Sequence, residues 1–254
     1  MVCISQIERS RLIIRNFLLI FIPTGVLLSL LCFVIFRLPS IPDEQLQHIK
    51  FPRNLDELKL LGATLLAYRG VCYWRILLSI TIVFILLQSF MIPGSVFCSI
   101  LLGYLYPLPL ALLVIAFCSA VGASCCYLIF GFLGRQTVLK LFPDKIASCH
   151  QLMGRFKNMM GFTIFLFRLS PIVPNWLVNI TSPLVGVPLV DFFLGTFVGV
   201  VPLSLFFVKA GTMLQELTDI GVTSVASVYT LALFAVISIA PILFQNQIKN
   251  FLSV

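Results

Sequence analysis

From Leu108 to Leu133 the chain carries no charged residue, and a helix of about 20 apolar residues is enough to cross the hydrocarbon of a bilayer. A soluble core could hide one such run. This chain has several: it is 60% hydrophobic and 10% charged, with a mean hydropathy of +1.10, against roughly 25% charged residues in an average soluble domain. Lipid is therefore the expected solvent.

The apolar runs divide the chain. Phe17 to Phe36 follows Arg9, Arg11 and Arg15 and shows no small-residue cleavage site, so it reads as an uncleaved transmembrane anchor rather than a signal peptide. Its basic flank places residues 1–16 in the cytosol by the positive-inside tendency. Residues 37–75, with Pro39, Pro42, Pro52 and charges of both signs, read as a lumenal connector holding a short helix at Leu55–Tyr68 behind an Asn54 N-cap. Further spans are expected at about 108–133, 187–208 and 225–244, with 245–254 as a cytosolic tail. Residues 134–161 carry Arg135, Lys140, Lys145, Arg155 and Lys157 against Asp144 alone. This reads as a cytosolic basic loop attracted to anionic headgroups, with a membrane-surface helix at 138–156 that Pro143 interrupts.

Two apolar segments do not fit a plain span. Residues 76–106 are interrupted at MIPGS (91–95) and again at Gly103, and residues 162–185 contain most of FLFRLSPIVPNWLVNITSPLVG (165–186). Proline and glycine break a helix there, and backbone with unpaired polar groups survives at membrane depth only inside protein or against a wet cavity. Both segments are therefore expected to be interior re-entrant hairpins entering from opposite faces. PGSVFCSILLGYLYPLPLALLV and PNWLVNITSPLVGVPLVDFF share an order of broken segment, Pro-Leu pair and apolar span, as in inverted repeats whose broken helices meet near the midplane. The small residues Gly122-Ala123-Ser124 and the GTFVG run at 195–199 suit close helix packing.

The second hairpin also carries the polar chemistry. Arg168 is a permanent cation that snorkels, pairs with Asp191, or forks onto phosphate oxygens. Asn175, Asn179, Thr181 and Ser182, with Ser95 and Ser99 of the first hairpin, add neutral polar groups to these segments. Pro93, Gly94, Gly103, Pro171, Pro174, Pro183 and Gly186 are expected to shape the hairpins, since fixed or freed backbone is what these residues supply. Trp176 fits a hairpin tip or an interfacial anchor. The sequon Asn179-Ile180-Thr181 is expected to stay unmodified at membrane depth.

Other chemistries find little footing. Of 8 cysteines, Cys32, Cys98, Cys118, Cys125 and Cys126 lie in apolar runs and none forms a C-x-x-C pair, which argues against a zinc site or a disulfide scaffold. Cys149-His150 reads as a solvated loop pair. No P-loop is present, so no catalytic residue, metal or cofactor is expected. The net charge of +8 reads as attraction to anionic lipid rather than to nucleic acid.

The stretches FMIPGSVFCSILLGYLYPLPLAL, GASCCYL, FRLSPIVPNWLVNITSPLVGVPL, FFLGTFVGVVP and KAGT resemble the VTT-domain (DedA-like, SNARE-associated) family, over about Phe51 to Phe244. The resemblance implies an all-α polytopic membrane protein of the endoplasmic reticulum, with two re-entrant helical hairpins in inverted arrangement behind an N-terminal anchor. It implies an energy-independent phospholipid scramblase supporting autophagosome formation, lipid mobilisation and lipoprotein export, in which Arg168, Asn175, Asn179, Thr181, Ser182, Asp191, Ser95 and Ser99 would line a hydrated path for the headgroup. The partners it implies are membrane phospholipids, cholesterol, lipid-transfer proteins and other VTT-family scramblases. Bacterial relatives commonly place an acid after the Pro-Gly pair and a second arginine after R-x-x-P, where this chain has Ser95 and Pro174. A proton-coupled carrier needs a titratable acid in its site, so passive movement is favoured over the alternatives, an ion-coupled carrier or a non-transporting scaffold.

Overall fold

The computed structural model describes residues 25, 26, 28–30, 33, 50–134, 159–169 and 173–220. The expected anchor at 17–36 lies mostly outside the described residues. The basic stretch 135–158, Pro171, the span at 225–244 and the tail 245–254 lie wholly outside them. Regular structure among the described residues is helical: α1 (Leu55–Ser89), α2 (Ser95–Leu105), α3 (Leu108–Ile129) running into a π turn (Phe130–Gly134), α4 (Met160–Leu169), α5 (Asn175–Val185), α6 (Leu189–Gly199) and α7 (Val201–Ile220). Three stretches of these are long and apolar enough to cross a membrane: Leu55–Ser89, Leu108–Phe132 and Leu189–Glu216.

Helix α1 starts where its cap was expected. Asn54 Oδ1 accepts the Glu57 N–H at 2.8 Å, and Glu57 Oε2 accepts the Arg53 N–H at 2.9 Å, a reciprocal cap that satisfies two N–H groups the helix cannot. The helix does not stop at Tyr68, however, but continues past the expected connector boundary at residue 75 to Ser89. The charges that suggested an ending are absorbed: the Arg69 guanidinium donates to the Leu105 carbonyl at the C-terminus of α2, where a cation is favoured.

Only Cys72 departs from helical angles within α1 (φ −123°, ψ 30°), and the helix bends there. The bend follows from chain length. Phe51, just before α1, lies against Gly94, just before α2, and its ring sits 6.3 Å from that of Phe97. A straight helix of 35 residues would hold its ends about 50 Å apart, and the five residues Phe90 to Gly94 reach at most about 18 Å. The first half of α1 therefore runs beside α2, with Gly62 under the Tyr104 ring. The second half runs beside α3 as far as its middle, where the Cys118 thiol faces the Thr81 carbonyl at 3.9 Å and Gly122 lies against Gln88.

The turn between α1 and α2 is tight. Ile92 N–H closes onto the Leu87 carbonyl at 2.8 Å, Met91 takes φ +55° and Gly94 φ +137°. At Gly94 any side chain would be strained and would also overlap the Phe51 ring, so glycine is required on both counts. Helix α7 crosses α2 at Gly103 and Gly211, where a methyl on either would run into backbone of the other helix. Thr212 Oγ1 bridges the pair by donating to the Gly103 carbonyl at 3.2 Å.

The C-terminal part of α3 packs on α5 and α6. Tyr127 donates to the Val187 carbonyl at 2.6 Å and its ring lies 5.1 Å from Phe192, while Pro183 of α5 packs on Gly131. Two groups of helices thus pack along one long apolar helix, a first unit made of the returning half of α1 with α2, and a second made of α5 and α6 with α4 held against α6. They touch where Met91 of the first turn packs on Ile180 of α5.

Candidate functional site

The site is built where α4 and α6 come closest. Gly161, Gly195 and Gly199 remove the side chains that would hold these helices apart: a Cβ on Gly195 would overlap the Gly161 carbonyl, and one on Gly199 would lie 2.6 Å from Arg168 Cβ. The close approach presses Arg168, at the end of α4, against α6. Its residue is 5% exposed, which decides that water does not solvate this charge.

Neutral groups surround the guanidinium instead. Nε donates to Thr196 Oγ1 at 3.2 Å, Nη1 to the Asn175 carbonyl at 3.4 Å and to Asn175 Oδ1 at 3.2 Å, and Nη2 to Asn179 Oδ1 at 2.6 Å. The carbon Cζ stands 5.4 Å from the centre of the Phe192 ring, within cation–π range. Cys126, fully buried on α3, lies beside Asn179 and Arg168. Oxygen dipoles satisfy the N–H groups, but among the described residues no carboxylate offsets the unit charge, and an unpaired charge is what makes burial costly.

Sequence reading had weighed Asp191 as the counter-ion. No ion pair between Arg168 and Asp191 is found among the described residues, where the ion pair present is Lys50–Glu57 at 3.6 Å. Asp191 sits in the first turn of α6 beside Gly161, five residues before Thr196, or about 7 Å along the helix. There its carboxylate faces a helix N-terminus, which favours an anion.

The remaining expected residues divide between two places. Asn175 and Asn179 join Arg168 one turn apart, Asn175 exposed and Asn179 buried, so a polar line runs inward from the start of α5. Thr181 and Ser182 are buried on the same helix, but their hydroxyls donate to the Leu177 and Val178 carbonyls at 2.8 and 2.6 Å. Pro174 caps α5, Pro183 stands inside it and leaves the Asn179 carbonyl without its usual N–H partner, and Gly186 ends it with φ +82°. Ser95, Ser99, Pro93, Gly94 and Gly103 belong to the first unit; Ser99 donates to the Ser95 carbonyl at 3.1 Å. Thr196, Phe192 and Cys126 were not singled out from the sequence. Thr196 had a signal, since it lies inside the GTFVG run.

A family model described as VTT domain matches residues 92–213, from the first turn into α7. Transmembrane protein 41B of Xenopus laevis is 43% identical over 239 residues, covering 93% of this chain and 86% of that protein. The human protein of that name is 40% identical over 239 residues, covering 93% and 82%. Transmembrane protein 41 homolog of Caenorhabditis elegans is 42% identical over 214 residues, covering 84% and 87%. No solved structure matches the chain. With its long apolar helices and these relatives along nearly its whole length, the chain belongs to the VTT-domain family of membrane proteins, in the transmembrane protein 41 branch.

Proposed function

We propose that this protein is an energy-independent phospholipid scramblase of the endoplasmic reticulum membrane, serving autophagosome formation, lipid mobilisation and lipoprotein export. The observation that carries the reading is Arg168: a buried guanidinium held by neutral oxygens, with no acid paired to it among the described residues. A headgroup phosphodiester has the charge and the oxygen geometry such a group recognises. Asn175 and Asn179 would pass the phosphate between hydrogen bonds of moderate strength, which permits release as well as entry. In this reading the segments 76–106 and 162–185 are re-entrant hairpins in inverted arrangement, both termini lie in the cytosol, and the polar line of α5 opens sideways so that the acyl chains stay in lipid. Sterols, lipid-transfer proteins and other VTT-family proteins are the further partners proposed.

The absence of a titratable acid bonded to Arg168 among the described residues favours passive movement over ion coupling. The test is reconstitution of the purified chain into vesicles holding fluorescent phospholipid, with a membrane-impermeant reductant added outside. Loss of signal beyond the outer-leaflet half, without nucleotide or gradient, is expected. Transport that stops when a proton gradient collapses would mark a coupled carrier, and protection of the inner half would mark a scaffold.

A further inference from the structure

The first unit sets charged residues level with the middle of a helix long enough to cross a membrane. Helix α3, from Leu108 to the end of its apolar stretch at Phe132, is 25 residues long, about 37 Å, enough to cross the hydrocarbon fully. Helix α2 ends at that same level, in the turn at Tyr106-Pro107, but has 11 residues and so reaches back only about 16 Å. Its start at Gly94 lies level with the middle third of α3, as the Gly122–Gln88 contact of the preceding helix requires. Phe51 is seated on that start, against Gly94 and Phe97. Lys50, Arg53, Asp56 and Glu57 therefore stand at the same level, and Lys50, Arg53 and Asp56 are exposed. The opposite end of the unit also has an interfacial character: Tyr68, Tyr73, Trp74 and Tyr106 gather with Arg69 around the bend at Cys72, and Trp74 is 71% exposed. Aromatic residues of this kind mark the headgroup level.

We propose that the Lys50–Glu57 collar is the floor of a water-filled recess that reaches the middle of the membrane beside the first unit and shortens the hydrocarbon barrier there to about the length of α2. Exposed charges of both signs at mid-depth are stable only in water, and a short helix pair with polar groups at both ends draws the bilayer thin around itself. The occupants it fits are water and the zwitterionic headgroups of the leaflet on that side, since cations and carboxylates stand together in the collar. The recess needs only the membrane embedding of the chain and stands whether or not the protein moves lipid.

The test compares two positions at one level of the full-length protein in lipid vesicles, each carrying a fluorescent amino acid. One replaces Arg53 and the other replaces Phe117, which is half exposed on α3. Iodide reports water, and phospholipid with a nitroxide at mid-chain reports hydrocarbon. The expected result is a split: iodide quenches the probe at 53 and leaves that at 117 unaffected, while the mid-chain nitroxide quenches the probe at 117. Iodide quenching at both positions would place the unit outside the membrane and overturn the proposal. Protection from iodide at both would show the collar dry and overturn it equally. Where the variant at 53 does not fold, Lys50 serves as the labelled position with the same expected outcomes. The assay reads no transport, so its failure leaves the scramblase reading to be judged by the reconstitution experiment.

Discussion

Arg168 is held by bonds from three of its nitrogens, to Asn175, Asn179 and Thr196, so its variants separate charge from shape. Arg168→Lys keeps the charge but cannot fork, and is expected to retain part of the lipid transport rate. Asn179→Ala removes the shortest of those bonds and leaves a donor unpaired at depth. A hydrogen bond to a charged group is worth about 1.5–3 kcal/mol and an orphaned one costs more, so this variant is expected to lower both the unfolding temperature in detergent and the transport rate. A transport loss with no thermal shift would mean that Asn179 contacts lipid rather than positioning the arginine. Legibility differed among these residues for a physical reason. Arg168 and the asparagines stand out as polar residues in an apolar run, whereas Thr196 and Phe192 lie on a regular helix 24 to 28 positions away and are brought in by glycines whose partner helix no local pattern names. The Asp191 pairing failed to form because five residues along a helix separate the carboxylate from the position that Arg168 reaches.

At the level of helices, one break was readable and the continuations were not: the interruption expected at Gly103 is absent, because Gly103 lies within α2 and serves its close crossing with α7. Met91–Ser95 announced a turn because proline and glycine cannot continue a helix, and the turn is where α1 gives way to α2. Arg69, Gly70 and Arg75 looked like the end of a connector, yet α1 runs through them because a distant carbonyl, that of Leu105, accepts from Arg69. The first turn makes a quantitative prediction. Gly94→Ala meets both an unfavourable φ and the Phe51 ring, and is expected to destabilise by about 2 kcal/mol or more. Adding Phe51→Ala is expected to recover the steric part only, so the double variant should unfold between Gly94→Ala and the parent in a thermal melt. Full recovery would mean that the backbone angle carries no strain. Gly211→Ala and Gly70→Ala form a matched pair on other helices. The first drives a methyl into the backbone of α2 and is expected to abolish folded protein, while the second meets open space and is expected to be neutral or slightly stabilising, as alanine is in a helix. Monodisperse protein in size-exclusion chromatography reads both.

Among the described residues α3 is the organising element, its N-terminal part packed on the returning half of α1 with α2 and its C-terminal part on α5 and α6. That arrangement was only hinted at by the repeated order of broken segment and apolar span, because sequence order does not say which half of a span each unit will contact. It predicts that cysteines at Met91 and Ile180, which pack together, form a disulfide on mild oxidation in the membrane, read as a cross-linked peptide by mass spectrometry. Absence of that link in well-folded protein would show that the two units do not meet. The scrambling account itself rests on one buried cation exchanging its neutral partners for a lipid phosphate. Its most direct measurement is the inner-leaflet reduction assay on Arg168→Gln, run beside a thermal melt of the same preparation. A fall in transport of about tenfold or more, the value of one charge-assisted hydrogen bond, with a melting temperature near that of the parent, is the predicted result. Unchanged transport in the glutamine variant would contradict it.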